Sequence, residues 1–228
     1  MLYMIGLGLD NDEITQKGLN ALKKVDKAYA EFYTNTANID LERLPCEVEI
    51  LERSEVEQEN KIIKSAEDQD TAFLVSGDPL TATTHYDIKH RAEEKGLDVE
   101  VVHAPSIFTS IAETGLNVYK FGRTVTLPKE GEPESIREYV EKNDSIDLHT
   151  LVLLDIDYDA NDAARKLLKL GLDNREAVIV QRANHEDMEI VLTTLEEASN
   201  AEFSETPHSI ILTGEKSFKE EEFIEKYE

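Results

Sequence analysis

The sequence predicts an α/β fold of two domains, and three observations support this. Apolar segments typical of buried strands alternate with segments of helical periodicity along most of the 228 residues. The alternation restarts after residues 120–123 (KFGR), which we interpret as a hinge. In the second half, the strand patterns 177–182 and 188–193 are separated by a turn so short that they must pair antiparallel. We therefore predict a parallel sheet in residues 1–120 and a mixed sheet in residues 121–228.

In the first half, strand patterns are followed by helical or turn segments. Gly96 is a good stop for the helix that precedes it, and Pro105 opens a short helix that ends near Gly115. This order is typical of a parallel sheet with helices on both faces. The predicted strands are 2–7, 27–33, 48–51, 71–76 and 98–103, and the longer predicted helices are 14–25, 56–66 and 83–95.

In the second half, strand and helix patterns alternate until the hairpin, and the chain ends in an acidic segment. The predicted strands are 124–127, 150–156, 177–182, 188–193 and 208–213, and the predicted helices are 134–141 and 160–170, followed by an acidic terminal element over 218–227.

Charge dominates the composition, because 49 Asp and Glu residues face 24 Lys and Arg residues and give a formal net charge of −25. A field of that sign repels nucleic acids and anionic membranes. Molar salt shortens the Debye length to about 3 Å and removes much of the self-repulsion, so we expect a salt-rich cytoplasm. An acidic protein from an ordinary cytoplasm is the alternative, and the 16 lysines favour it.

Apolar runs in the sequence have the length of strands, well short of the roughly 20 residues that span a bilayer. We expect no membrane segment and no signal peptide, and the single Cys46 has no partner for an internal disulfide. These features predict a cytoplasmic protein.

A glycine turn follows the first predicted strand. Gly6 and Gly8 begin a dinucleotide-binding pattern, but the third glycine of that pattern falls on Asn11. The Rossmann interpretation therefore fails, and no P-loop is present either. A tight turn at the carboxyl end of a central strand remains, where open α/β sheets bind their ligands. The alternative is that the glycines serve only the turn.

A second turn, Ser76-Gly-Asp-Pro-Leu80, ends the strand 71–76 and leaves Asp78 at its carboxyl edge. Asp78 is either a ligand-binding residue or a cap of the following helix. The six histidines have no zinc-ligand spacing and no hydrolase elbow is present, so we predict no metal site and no catalytic triad.

Motifs along nearly the whole chain, including both of these glycine turns, resemble the diphthine synthase family, a branch of the tetrapyrrole methylase superfamily. The resembling segments are LYMIGLGLDNDEITQKGL (2–19), AEFYTN (30–35), SGDPLTATTH (76–85), VHAPSI (102–107), TGLNVYKFG (114–122), LHTLVLLDI (148–156), QRA (181–183) and PHSIILTGEKSFKEEEF (207–223).

The resemblance implies two α/β domains of the tetrapyrrole methylase type, with the cofactor S-adenosylmethionine in the cleft between them. It implies cofactor contacts at eight positions, all at strand ends or in the loops that follow: Leu9, Asp78, Thr81, Ser106, Ile107, Leu154, Ala183 and His208. No catalytic residue is assigned, because a neutral amine needs only to be held in line with the methyl group and water can take its proton.

The resemblance also implies the reaction: N-methylation of the 2-(3-amino-3-carboxypropyl)histidine of elongation factor 2, a step of diphthamide biosynthesis. It further implies a homodimer, and the length and acidity of the chain favour an archaeal source. Two alternatives remain open. A precorrin-type methyltransferase would use the same fold on a polyanionic macrocycle, which a net charge of −25 disfavours. A non-enzymatic acidic binding module would use the glycine turns for structure alone.

Overall fold

The computed structural model describes residues 1–34, 39–131, 133–173 and 175–228. The chain forms two compact units, Met1–Thr109 and Ser110–Glu228. Each unit contains one five-stranded sheet within its described residues. The two-domain α/β fold predicted from the sequence is confirmed.

The first unit is built on a fully parallel sheet in the order β3-β2-β4-β1-β5. Because all five strands run the same way, their carboxyl ends lie at one edge. The strands of this unit are β1 (Leu2–Gly6), β2 (Lys27–Glu31), β3 (Val48–Ile50), β4 (Thr71–Val75) and β5 (Val99–Val102). Its helices are α1 (Gln16–Leu22), α2 (Arg53–Glu57), α3 (Lys61–Asp68) and α4 (Tyr86–Glu94), and α5 (Ile107–Ser110) ends at the first residue of the second unit.

Both faces of this sheet are buried, which explains the nearly continuous apolar runs of its central strands. On one face, Met4 and Phe73 pack with Ile62 of α3 and Ile88 of α4. On the other face, alternate strand residues pack with α1 through Leu22 and its neighbours. Helices therefore cover both faces, as predicted.

The second unit has a mixed sheet in the order β6-β7-β10-β8-β9. β6 and β7 are parallel, whereas β10 lies antiparallel between β7 and β8, and β8 and β9 form the predicted hairpin. Its elements are β6 (Val125–Leu127), α6 (Ser135–Asp144), β7 (Thr150–Leu154), α7 (Ala160–Lys169), β8 (Glu176–Gln181), β9 (Glu189–Thr194), α8 (Leu195–Ala198), β10 (His208–Leu212) and α9 (Phe218–Ile224). One face of this sheet packs on α6 and α7 through Val140, Ala164 and Leu167.

The division between the units lies earlier than the hinge expected at residues 120–123. Residues 110–120 belong to the second unit because they are tied to its last helix. The backbone N–H of Asn117 and the Nζ of Lys120 both donate to Glu220, at 2.9 and 3.0 Å. A charge-assisted network of this kind is not visible in local sequence patterns.

The helix predicted over 56–66 is two helices, α2 and α3, because Asn60 between them adopts the left-handed conformation, with φ of 56°. Asparagine is among the residues that tolerate this region best, and it interrupts the helical hydrogen bonds. Among the described residues, no helix is long and apolar enough to cross a membrane.

Candidate functional site

The carboxyl edge of the first sheet carries five of the eight predicted site residues. The loops after β1 and β4 are joined there, since Gly8 and Gly77 exchange backbone hydrogen bonds of 3.2 and 2.6 Å. Both glycines have positive φ, of 80° and 70°, which explains why glycine is needed in both loops. Leu9 follows directly and is buried, and its backbone N–H donates to Glu13 at 2.6 Å.

Asp78 organises this edge. Its Oδ1 accepts hydrogen bonds from the backbone N–H of Leu80 at 3.0 Å and from the Thr81 hydroxyl at 2.9 Å. Its Oδ2 lies 2.7 Å from Nδ1 of His103 and 3.4 Å from the backbone N of Ala104. The carboxylate therefore ties the loop after β4 to the loop after β5.

The surroundings of Asp78 stabilise the ionised form of its carboxyl group. Burial raises the pKa of its carboxyl, but the hydrogen bonds from Leu80, His103 and Thr81 outweigh burial, and the pKa lies below its ordinary value. The alternative that Asp78 caps the following helix is wrong, because α4 begins at Tyr86 and its N-cap is His85.

Ser106 and Ile107 follow β5 at the same edge. A Cβ atom placed on Gly77 would lie 3.6 Å from Leu9 Cδ2 and 3.8 Å from Ser106 Cβ. The Gly77 backbone thus faces a space bordered by Leu9 and Ser106. The first unit therefore brings Leu9, Asp78, Thr81 and Ser106 together around one glycine, with Ile107 next in the chain.

The three remaining predicted residues lie at one edge of the second sheet. β7 and β8 both run antiparallel to β10, so their carboxyl ends meet the amino end of β10. Leu154 ends β7, Ala183 lies two residues beyond β8, and His208 begins β10 in register with Gln181. These three residues thus lie together within the second unit, just as the other five predicted residues lie together at the edge of the first sheet.

The His208 ring is fully used by the protein. Its Nδ1 accepts from the backbone N–H of Ala160, the first residue of α7, at 3.1 Å, and its Nε2 lies 3.0 Å from the carbonyl of Ser204. This pattern assigns the neutral ring with the proton on Nε2. Burial lowers the pKa of His208, which agrees with a neutral ring. A ligand at this edge would meet the His208 backbone rather than the ring nitrogens.

Sequence reasoning missed two features of the first unit. One is His103, which contacts Asp78, and the other is a buried pair formed by Glu31 and His85. Both histidines lie inside the motifs VHAPSI and SGDPLTATTH, but neither motif shows which carboxylate each ring meets. Asn35, the last residue of AEFYTN, lies outside the described residues.

Two neighbouring loops with tight glycine turns and a fixed carboxylate thus lie at one edge of the first sheet, which is where open α/β sheets bind their ligands. The family model described as Tetrapyrrole (Corrin/Porphyrin) Methylases matches residues 1–199. The fold and this match therefore define a methylase of that class.

The relatives are more specific. The diphthine synthase of Methanocaldococcus jannaschii is 38% identical over 251 aligned residues, with 98% of this chain and 97% of the relative covered. That of Methanococcus maripaludis is 38% identical, with coverage of 98% and 97%. A crystal structure of a diphthine synthase matches with a TM-score of 0.92 and 30% identity, covering 99% of this chain and 95% of the other. This chain belongs to the diphthine synthase family, whose members are methyltransferases.

Proposed function

We propose that this enzyme uses S-adenosylmethionine to methylate the amino group of the 2-(3-amino-3-carboxypropyl)histidine of elongation factor 2, forming diphthine. The observation that carries the proposal is similarity to diphthine synthases over almost the entire chain. The reaction belongs to diphthamide biosynthesis and, because its substrate is a translation factor, we place it in the cytoplasm.

The first unit offers a fitting place for the cofactor. The Gly77 backbone faces a space that a side chain at this position would fill, and Leu9 and Ser106 border it. The buried carboxylate of Asp78 follows Gly77 in the chain, and apolar surface beside a carboxylate suits a ligand with an apolar and a polar part. We propose that Leu9, Asp78, Thr81, Ser106 and Ile107 contribute to cofactor binding.

In the second unit we propose contributions from Leu154, Ala183 and His208, through backbone groups and apolar surface. The ring nitrogens of His208 are already paired, so its role would be to hold the strand end in place. When bound, the cofactor supplies an electrophilic methyl group on a positively charged sulfur.

The task of the protein is to hold the amine nitrogen in line with the methyl carbon. Such positioning accounts for a large share of the rate in reactions that need no covalent enzyme intermediate. Rigid strand ends suit this task, because the loops after β1, β4 and β5 are tied together by the Gly8–Gly77 hydrogen bonds and by Asp78.

Transfer of a labelled methyl group tests the proposal. Elongation factor 2 that carries the modified histidine should become labelled, whereas the unmodified factor should not. A precorrin serves as the competing acceptor, because a precorrin-type methyltransferase shares the fold. Labelling of the precorrin alone would refute the proposed substrate, and failure to bind the cofactor in calorimetry would refute the cofactor.

We also propose a homodimer, which rests on the family resemblance. Light scattering at molar salt should give twice the mass of the 25.8 kDa chain. The mass of a single chain at micromolar concentration would contradict it.

A further inference from the structure

A pair of buried ionisable side chains lies at the carboxyl edge of the first sheet, beside the strand that leads into the Asp78 loop. Glu31 ends β2 and is in register with Val75 at the end of β4. The His85 Nε2 lies 3.7 Å from the Glu31 Oε1. The His85 side chain is 2% exposed and the Glu31 side chain is 0% exposed. We call these two residues the Glu31–His85 pair.

The ring of His85 is buried without hydrogen-bond partners. Neither of its nitrogens has one among the described residues, and the same holds for the buried hydroxyl of Tyr33. The ring instead packs edge-on against Phe73 and Tyr33, with centroids 5.0 and 6.4 Å away. Because buried polar groups are nearly always paired, an unpaired buried ring at this sheet edge indicates a functional role.

Glu31 differs from His85 because its carboxylate is held by the chain. Both the backbone N–H and the hydroxyl of Thr34 donate to it, and Arg53 of α2 adds a weaker favourable charge. Glu57 of the same helix lies near Tyr33, and its negative charge raises the pKa of the Tyr33 hydroxyl, whereas Arg53 lowers it. Hydrogen bonds thus orient the carboxylate, whereas neither nitrogen of the His85 ring is engaged by a partner among the described residues.

Burial acts on the two groups in opposite directions. It raises the pKa of Glu31 and lowers the pKa of His85 to about 4. With both groups in their unprotonated forms the pair carries one buried negative charge, and uptake of one proton removes it. At a separation of 3.7 Å the negative charge of Glu31 favours proton uptake by the ring, which opposes the effect of burial.

We propose that the Glu31–His85 pair accepts the proton that the substrate amine must lose before it is methylated, an inference that rests on the proposed function. The N–H bond of the ammonium breaks, and its proton forms a new N–H bond on a His85 nitrogen, directly or through one water molecule. The freed nitrogen lone pair attacks the methyl carbon while the carbon–sulfur bond breaks and its electrons remain on sulfur. The proton then leaves to solvent.

The placement of the pair agrees with this role. β2 is the strand next to β4 on the side away from β1, whereas the proposed cofactor residues follow β4, β1 and β5. An acceptor amine that binds beside the cofactor residues at this carboxyl edge would therefore lie next to the Glu31–His85 pair. The negative charge of Glu31 would also attract the ammonium ion.

The chain offers a matched control for the test. His90 and Glu94 of α4 also lie 3.7 Å apart, but their side chains are 59% and 65% exposed. We compare His85→Asn with His90→Asn in methyl transfer to elongation factor 2 that carries the modified histidine. At pH 7 the kcat of His85→Asn should fall by about 100-fold or more, the usual contribution of a positioned acid or base, and that of His90→Asn should not change.

The pH profile separates proton acceptance from a structural role. The deficit of His85→Asn should shrink about tenfold per pH unit as the amine becomes deprotonated in solution, and the affinity for the cofactor should stay within threefold. A deficit that is constant with pH, or a kcat within threefold of the wild type, would overturn the proposal.

An NMR titration of the cofactor-free protein tests the pair without the acceptor. In Glu31→Gln the ring of His85 should take up its proton at least one pH unit lower than in the wild type, while His90 should be unchanged. An unchanged titration of His85 would overturn the pair as a proton acceptor. If the wild type methylates no elongation factor, the proposed function fails, and a shifted titration would still support proton acceptance by the pair.

Discussion

Replacement of Asp78 by alanine tests how the carboxyl edge of the first sheet is held together. Asp78→Ala leaves the N–H of Leu80 and the hydroxyl of Thr81 without their acceptor, and these were bonded at 3.0 and 2.9 Å. The contact with Ala104 at 3.4 Å is weak, and His103 is 70% exposed, so its attraction to Asp78 is screened. Two good hydrogen bonds to a charged acceptor at a partly buried site give a loss of about 2–3 kcal/mol in unfolding free energy.

A loss of that size lowers the melting temperature by about 5–10 °C in a protein of this length. Asp68→Ala is the matched control, because Asp68 is exposed in the last turn of α3, where a negative charge is slightly unfavourable. We expect this control to melt within about 2 °C of the wild type. Cofactor affinity should fall at least about tenfold in Asp78→Ala and stay unchanged in the control.

The pH dependence has a definite sign. The pKa of Asp78 is lower in the folded protein than in the unfolded chain, so its stabilising contribution is complete above about pH 4 and is lost as the pH falls through the folded pKa. The difference in unfolding free energy between wild type and Asp78→Ala should therefore be full at pH 7 and shrink below about pH 4. A difference under about 0.5 kcal/mol at pH 7 would refute the role assigned to the carboxylate.

Three further predictions concern stability. Glu220→Gln should lower the unfolding free energy by about 2–4 kcal/mol in urea melts, because the buried Glu220 carboxylate accepts hydrogen bonds from five donor groups. The control Glu221→Gln should have little effect, because Glu221 is exposed. His208→Gln should lessen the loss of stability as the pH falls below about 6.5, because the lowered pKa of His208 makes its neutral form the stabilising one; an unchanged pH dependence would contradict this. The melting temperature should rise with KCl well beyond about 0.5 M, where screening relieves repulsion among the excess carboxylates, and a flat or falling series would reject salt adaptation.

Local patterns predicted the framework of the site well. The apolar runs 2–7 and 71–76 correspond to β1 and β4, and the turns after them carry Leu9 and Asp78 at the carboxyl edge of a parallel sheet. This was predictable because strand periodicity and glycine turns are properties of neighbouring residues. The hairpin of β8 and β9 was predictable for the same reason, since a short turn permits only antiparallel pairing.

Other features depend on residues that are distant in the sequence. The contact of His103 with Asp78, the burial of Glu31 beside His85, and the attachment of Lys120 to Glu220 each join segments that approach only when the chain folds. The periodicity of a sequence does not show which side chains will be in contact at the edge of a sheet.

The sequence by itself determined the α/β class, the positions of most strands along the chain, the excess of negative charge and the family resemblance, because these depend on local composition and spacing. Only the tertiary structure decided that Asp78 links two loops, that the His208 ring is neutral and paired, and that the His85 ring is buried without a partner among the described residues. The physical reason is that hydrogen bonding and burial depend on the three-dimensional surroundings of a side chain, which residues far apart in the sequence supply together.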